Sequence, residues 1–453
     1  MTDVWDYLLA PVYMFILYQM ALFYQRKKVG EYQEYNYYAL GMLAKMKGGI
    51  ILCLIYTQYY IGGDTNAYHN SSLALKRLFF EHPSAYFRIL FGYQKPEDYF
   101  YFNAKTGFPF YWGDKQSFAV VRYSSIFHFF SFERYFVATV LLAAFSYIGI
   151  WKLYRLFSNY FPLLYKRFAV AILFMPSVLF WGSGILKDTY TLTAACWFLH
   201  FFHKALILRE KVWISILWGA FAASIMLKIK PYVAIALVPG SVYWASFYSV
   251  RKIQNAFFRF VLGPFALVIL GTIFVGIFQG IKGQLGAYSS LQGILDKAVV
   301  TQRDLKQEYY GGNSFDIGEF EATVPGVLSK LPIATFTGLF RPMLHEVRNP
   351  MMLLAALENA LLLFFTLRFL IKVGLIGAYR IVVGEPLVFF CMIYSFLFSF
   401  SVGLSTANFG ALVRYKIPAV PFFLAGMFVA EHLARNQTTT ASKPQAPALS
   451  KPG

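Results

Sequence analysis

Charge is scarce in this chain. Asp, Glu, Lys and Arg make up only 14% of 453 residues, against 58% hydrophobic and 20% aromatic. A soluble globular domain carries about 25% charged residues, so that class is excluded. Acids are the scarcer sign, with Asp+Glu 22 against Lys+Arg 41. In a soluble chain such an excess would suggest nucleic acid, but no basic run is interleaved with a soluble fold, and a polytopic membrane protein collects Lys and Arg at its cytoplasmic ends. No nucleic-acid partner is expected. Cysteine is nearly absent too: Cys53, Cys196 and Cys391 lie far apart inside apolar stretches, which gives neither a disulfide framework nor a metal spacing. There is no phosphate-binding Gly-Lys-Ser/Thr loop, no His-Glu-x-x-His helix and no internal repeat of the kind that builds two-halved transporters. Asp3 and Asp6 precede the first apolar run without a small-residue cleavage site, so that run is expected to remain in the mature protein.

The sequence is rich in apolar length. A helix crosses the hydrocarbon layer with about 20 apolar residues. On that measure spans are expected near 7–24, 48–62, 135–155, 168–186, 189–207, 212–229, 232–250, 259–280, 351–371, 385–404 and 417–433. The fold class is therefore all-α, a polytopic transmembrane helical bundle of about eleven spans. Pro176, Gly182 and Gly184 interrupt the fourth, which suggests a broken or re-entrant helix there. Short loops carrying Arg26, Lys27, Lys28, Lys45 and Lys47, then Lys152, Arg155, Lys166 and Arg167, then Arg209 and Lys211, then Arg251 and Lys252, belong inside by the positive-inside rule. The N-terminus is then outside and the C-terminus cytoplasmic, and two long segments, about 63–134 and 281–350, lie outside. Residues 1–435 form the membrane domain. The Thr-, Ser-, Pro- and Lys-containing tail at 436–453 is expected to be disordered. Leu73, Leu75, Leu78, Phe79 and Phe80 suggest an amphipathic helix on the membrane surface.

Nearly every cluster of unusual polar residues falls on that outer side. Asp64 follows Gly62-Gly63 where the second span ends and precedes Tyr68. A carboxylate at the mouth of an apolar bundle can have a raised pKa and take a proton from a hydroxyl, or pair with a divalent metal ion; it can equally cap the next helix. Lys187 and Asp188 place a cation and an anion where two spans meet, as a site or as a structural ion pair. Lys228 and Lys230 make an outward turn basic on the wrong side for topology, which suggests an anion. Arg341, His345 and Arg348 precede the ninth span, with Glu358 and Asn359 further in, and Asn408, Arg414 and Lys416 follow the tenth. Arg grips phosphate through a planar two-pronged contact, although a lone Arg more often anchors a span at the headgroups.

In the runs Gly-Asp-Thr-Asn-Ala-Tyr at 63–68, Pro-Ser-Val-Leu-Phe-Trp-Gly-Ser-Gly-Ile-Leu-Lys-Asp at 176–188, Arg-Pro…Arg-Asn-Pro at 341–350 and Asn-Phe-Gly-Ala-Leu-Val-Arg-Tyr-Lys-Ile-Pro at 408–418, the chain resembles bacterial proteins of surface-glycan assembly: the GT-C-like membrane glycosyltransferases and the O-antigen-type polysaccharide polymerases. The resemblance implies an inner-membrane enzyme that takes a polyprenyl-phosphate-linked sugar donor and a glycan or lipid acceptor. In the first group an acidic residue of the first outer loop is the base, which falls on Asp64; its usual partner acid is replaced by Thr65, and the motif follows the second apolar span instead of the first. In the second group outward arginines hold the donor pyrophosphate, which falls on Arg341, Arg348 or Arg414. Asp188 and His345 complete the candidate catalytic set, with Tyr68, Lys187, Lys228, Lys230 and Asn408 as candidate substrate contacts. The alternative expectation is a transporter or flippase of a lipid-linked or anionic solute.

Overall fold

The computed structural model describes residues 2–251, 286–307 and 313–441, together with positions 272, 276 and 279. The described residues contain no β-strand, only an isolated bridge between Ser314 and Asn408. Among the described residues seven helices are long and apolar enough to cross a membrane. The first is α1 (Val4–Lys28), opened by Asp3, whose carboxylate accepts from the backbone N–H groups of Trp5 and Asp6. The second is α2 (Tyr38–Leu54), extended by a π-turn over Ile55–Tyr59. An outer layer follows: α3 (Asp64–Glu81), α4 (Pro83–Leu90) and α5 (Lys115–His128). Next come α6 (Tyr135–Tyr160), the short α7 (Tyr165–Phe168) and α8 (Pro176–Phe180), then α9 (Lys187–Phe202), α10 (Val212–Ile229) and α11 (Pro231–Arg251). The second outer segment holds α12 (Leu291–Leu305), α13 (Val324–Ser329) and the apolar α14 (Leu331–Phe340). The chain closes with α15 (Pro350–Gly384), α16 (Pro386–Ser405), α17 (Phe409–Tyr415) and α18 (Val420–Ala441), the last two bent by 61° at the break between them.

Helix α6 packs against α2 and α9, and α16 against α11 and α14. Faces away from these contacts stay apolar: Phe15 and Phe23 on α1, Trp213 on α10 and Ile371 on α15 are exposed, as a lipid-facing surface requires. The Asp3 carboxylate pairs with Arg134, and Asp6 Oδ1 accepts from Phe136 N at 2.9 Å, so α1 and α6 begin at the same end. At the opposite end Arg155 meets Glu34 at 3.2 Å, and Arg167 meets Glu431 of α18 at 3.1 Å.

Several boundaries differ from expectation. The second span starts about ten residues early, and Lys45 is no loop cation: it is buried in α2 and donates to the carbonyls of Val178, at 3.1 Å, and Gly182. The reason lies in the expected fourth span, which is α7, a π-turn over Ala169–Leu173, α8 and an irregular stretch 181–186. Its broken ladder leaves carbonyls that need a buried donor. The ninth span is longer than expected, with a break at Gly374 (φ 68°). The eighth expected span, 259–280, lies outside the described residues apart from positions 272, 276 and 279. Helix α18 continues to Ala441, into the segment expected to be disordered. Leu75 and Leu78 of α3 are buried against the outer layer while Phe80 is 67% exposed, so the amphipathic helix packs on α5 as well as facing outward.

Candidate functional site

The end of the bundle where α1 and α6 begin carries a cavity of about 630 Å³, lined by Asp64, Tyr68 and Tyr111 of the first outer segment, Lys187 and Lys230 of the spans, Tyr288 and Leu295 of the second outer segment, and Arg414 and Tyr415 of α17. Each side chain arrives by a local device. Gly62 (φ 147°) and Gly63 (φ 116°) turn the chain out of α2, and a Cβ on Gly63 would lie 2.8 Å from the Tyr56 ring. Only glycine fits that backbone. Asp64 is then the first residue of α3 and does not cap it; the cap position is Gly63, without a side-chain bond. The carboxylate reaches into the cavity instead, where Oδ2 accepts from Arg414 Nη1 at 2.7 Å and Oδ1 from the Tyr111 hydroxyl at 3.3 Å. Tyr111 stacks on Tyr68 with ring centroids 4.6 Å apart. Thr65 is turned away, sharing a 2.8 Å hydrogen bond with Tyr135.

Asp188, in the first turn of α9, is fully buried. One oxygen accepts from Lys230 Nζ, and the other from Arg414 Nε at 2.8 Å. Lys230 occupies the sharp turn between α10 and Pro231, with its ammonium 4.5 Å from the Tyr415 ring centroid. Lys187 is not paired with its neighbour Asp188 as an isolated ion pair would require; it reaches Asp114 at 3.6 Å. Arg414 therefore bridges two carboxylates that stand 124 positions apart in sequence, each at the N-terminal end of its helix, where the helix dipole favours an anion. Asn408 fixes the helix that carries Arg414: its Oδ1 accepts from Gly410 N at 2.8 Å and Ala411 N at 3.3 Å. The outer segment braces the same turn through Phe315 N to Ala407 O at 2.8 Å and Phe409 N to Asn313 O at 3.0 Å.

The electrostatics run against the expected raised pKa of Asp64. Burial pushes the carboxyl up, but the charge and hydrogen bond of Arg414, aided by Tyr111 and Lys187, outweigh it and hold the pKa below the usual aspartate range. Asp64 is a carboxylate at neutral pH.

Not every expected residue converges. Arg341 is tied to Glu346 (Nε to Oε1 2.8 Å) and lies over the Phe315 and Phe409 rings, outside the cavity lining. His345 and Arg348 are exposed on the segment before α15, and Lys228 is exposed at the end of α10; none of the three lines the cavity. The expected trio of outward arginines is thus reduced to Arg414, because the Arg341 segment packs on the far side of α17. Asn408 caps α17 and does not line the cavity. Sequence reading passed over Tyr111, Asp114, Tyr288 and Tyr415. Asp114 had a usable signal, a helix-capping Asp ahead of α5, whose Oδ1 accepts from Gln116 N and Ser117 N; the tyrosines stand among many others and had none.

A second polar knot holds the back of α17. Lys416, buried, donates to Leu339 O at 3.3 Å, Arg341 O at 3.4 Å and Asn359 Oδ1, while buried Glu358 accepts from Ser177 N at 2.9 Å and Ser177 Oγ at 2.7 Å. These bonds tie α14, α15, α17 and the broken segment together. Among the described residues no three His, Cys, Asp or Glu side chains gather to hold a metal ion, and Asp64 and Asp188 already share a guanidinium.

The apolar helices and their lipid-facing surfaces define an integral membrane protein built as a polytopic helical bundle. Comparison with protein-family models, with curated proteins and with solved structures finds no match.

Proposed function

We propose that the protein is a membrane glycosyltransferase of cell-surface glycan biosynthesis, acting on a polyprenyl-phosphate-linked or pyrophosphate-linked sugar at the outer face of a bacterial inner membrane. The observation that carries this reading is Arg414, set between Asp64 and Asp188 beside Lys187 and Lys230 in one cavity. Arg414 and Lys187 receive the donor phosphate, the lipid tail runs between spans, and Asp64 accepts the proton of the acceptor hydroxyl as the new glycosidic bond forms and the phosphate leaves with its electron pair. Because Arg341 and Arg348 stand away from the cavity, a base-assisted transferase is favoured over chemistry carried by arginines alone. The basic end of the bundle, with Arg155 and Arg167, faces the cytoplasm by the positive-inside rule, which sets the N-terminus outside and the C-terminus inside.

Asp64→Asn tests the reading. The amide is nearly isosteric but cannot take the proton, so turnover of a lipid-linked sugar should fall about 10²–10⁴-fold at matched protein level. Near-normal product would remove Asp64 from the chemistry. A transporter or flippase of an anionic or lipid-linked solute is the second reading, supported by the balance of Lys187, Lys230 and Arg414 against Asp64, Asp114 and Asp188, which suits reversible anion binding. It calls for solute movement in proteoliposomes without a new glycosidic bond.

A further inference from the structure

Arg414 is held by two carboxylates of unequal freedom. Asp188 is completely buried, and its second oxygen carries Lys230, itself buried, so neither can leave without stranding a charge. The Asp64 side chain is 47% exposed to the cavity, and its second oxygen takes only the neutral Tyr111 hydroxyl at 3.3 Å. An anion entering the cavity toward Arg414 meets Asp64 as a like charge competing for the same guanidinium. Arg presents several N–H donors in one plane, so it can keep a fixed partner on Nε while changing the partner on its terminal nitrogens.

We infer that a phosphate group entering the cavity replaces Asp64 on Arg414, while Asp188 and Lys230 keep the guanidinium in place, and that Asp64 is thereby released toward the acceptor. The exchange needs only a phosphate site; its catalytic meaning rests on the glycosyltransferase reading. Paired with Arg414, Asp64 is a poor proton acceptor. Once the phosphate has taken the cation, the carboxylate stands beside a second anion and its affinity for a proton rises. The base is thus weak in the empty site, where Arg414 keeps it ionised, and strengthened when donor is bound. In the transfer step the hydroxyl proton passes to Asp64, the acceptor oxygen bonds to the sugar carbon, and the bond from that carbon to the phosphate oxygen breaks, its electron pair leaving with the phosphate beside Arg414 and Lys187. Asp188 is accordingly a positioning residue.

The test measures phosphate binding to the full chain in phosphatidylcholine nanodiscs by calorimetry, with inorganic pyrophosphate in one arm and polyprenyl phosphate built into the disc in the other. Removing an internal competitor should tighten binding, so Asp64→Asn is expected to bind at least about fivefold more tightly than wild type, the lower end of ordinary coupling between sites. Asp64→Glu keeps the competing charge and should bind close to wild type. Asp188→Asn should bind more weakly, and if it does not fold, the Asn and Glu variants at position 64 decide the matter alone. Tightening in either arm supports the exchange and identifies whether free or lipid-borne phosphate is read; unchanged or weaker binding by Asp64→Asn in both arms overturns it. Tightened binding by Asp64→Asn, with no sugar transfer by the wild-type protein, would sink the enzymatic reading and leave the exchange standing. Unchanged binding with lost transfer would do the reverse.

Discussion

Asp188→Asn should destabilise the protein, and the structure sets how much. Asp188 is fully buried and is the shared anion of Lys230, 5% exposed at its side chain, and Arg414, 12% exposed. Breaking a buried ion pair by removing one partner costs about 3–5 kcal/mol, because the remaining charge is left without compensation. Three features reduce that here. Asn retains an oxygen for Arg414, and Arg414 still has Asp64 at 2.7 Å. Lys230 keeps the Tyr415 ring at 4.5 Å, a cation–π contact worth about 0.5–2 kcal/mol. Burial already pushes the Lys230 pKa down against the pull of Asp188, so without that carboxylate the lysine can shed its proton instead of staying charged. The expected loss is about 2–4 kcal/mol. Denaturant or thermal unfolding of the purified chain in detergent would measure it. Asp188→Asn combined with Lys230→Met removes the stranded cation and should recover part of the loss. If Asp188→Asn unfolds together with wild type, or the double variant is less stable than the single one by the full cost of a second independent lesion, the account of this buried triad is wrong.

Other expectations follow from single contacts. Arg414→Lys keeps the charge but cannot serve two carboxylates from one plane, so the KM for a lipid-linked donor should rise about tenfold or more, as the loss of one charged hydrogen bond of about 1.5–3 kcal/mol implies, while an unchanged KM would separate Arg414 from donor binding. Gly63→Ala forces a Cβ against Tyr56 at a φ of 116°, which should cost about 1–3 kcal/mol and lower activity through misplacement of Asp64; a variant as stable and active as wild type would show that the turn relaxes freely. Glu133, clamped by Arg77 at 2.6 Å and Lys76 at 2.9 Å, has its pKa lowered from 4.5 to about 2, chiefly by the Arg77 hydrogen bond. Its folded pKa is depressed, so its contribution is complete above about 4.5 and is lost as pH falls toward about 2; Glu133→Gln should flatten the acid side of the unfolding profile in that window, and an unaltered slope would count against the clamp.

The membrane class was legible because it depends on composition and on runs of about 20 apolar residues, both of which are sums along the chain. Lys45 shows where that reading stops. Its neighbours made it look like a loop cation, and only the broken segment packed across from it, with carbonyls of Val178 and Gly182 in need of a donor, explains its burial. The same holds for the site. Asp64, Lys187, Asp188, Lys230 and Arg414 were each conspicuous as polar residues at span mouths, but local pattern could not show which of several cations would meet which acid.

That pairing is decided by which face of α17 each residue occupies. Arg414 points into the cavity, whereas Lys416, two positions on, points to the opposite side and joins Asn359 and the carbonyls of Leu339 and Arg341. Two residues on a helix turn the side chain by about 200°, so neighbouring cations serve opposite surfaces. Asn408 starts this helix and the Lys416 knot holds its end, so the short α17 is pinned at both termini. Arg341 is excluded from the cavity by the same geometry, since it packs on Phe409 at the start of α17 and spends its charge on Glu346. A seven-residue helix thus determines which of these cations enter the site, and its orientation depends on contacts from segments far away in sequence.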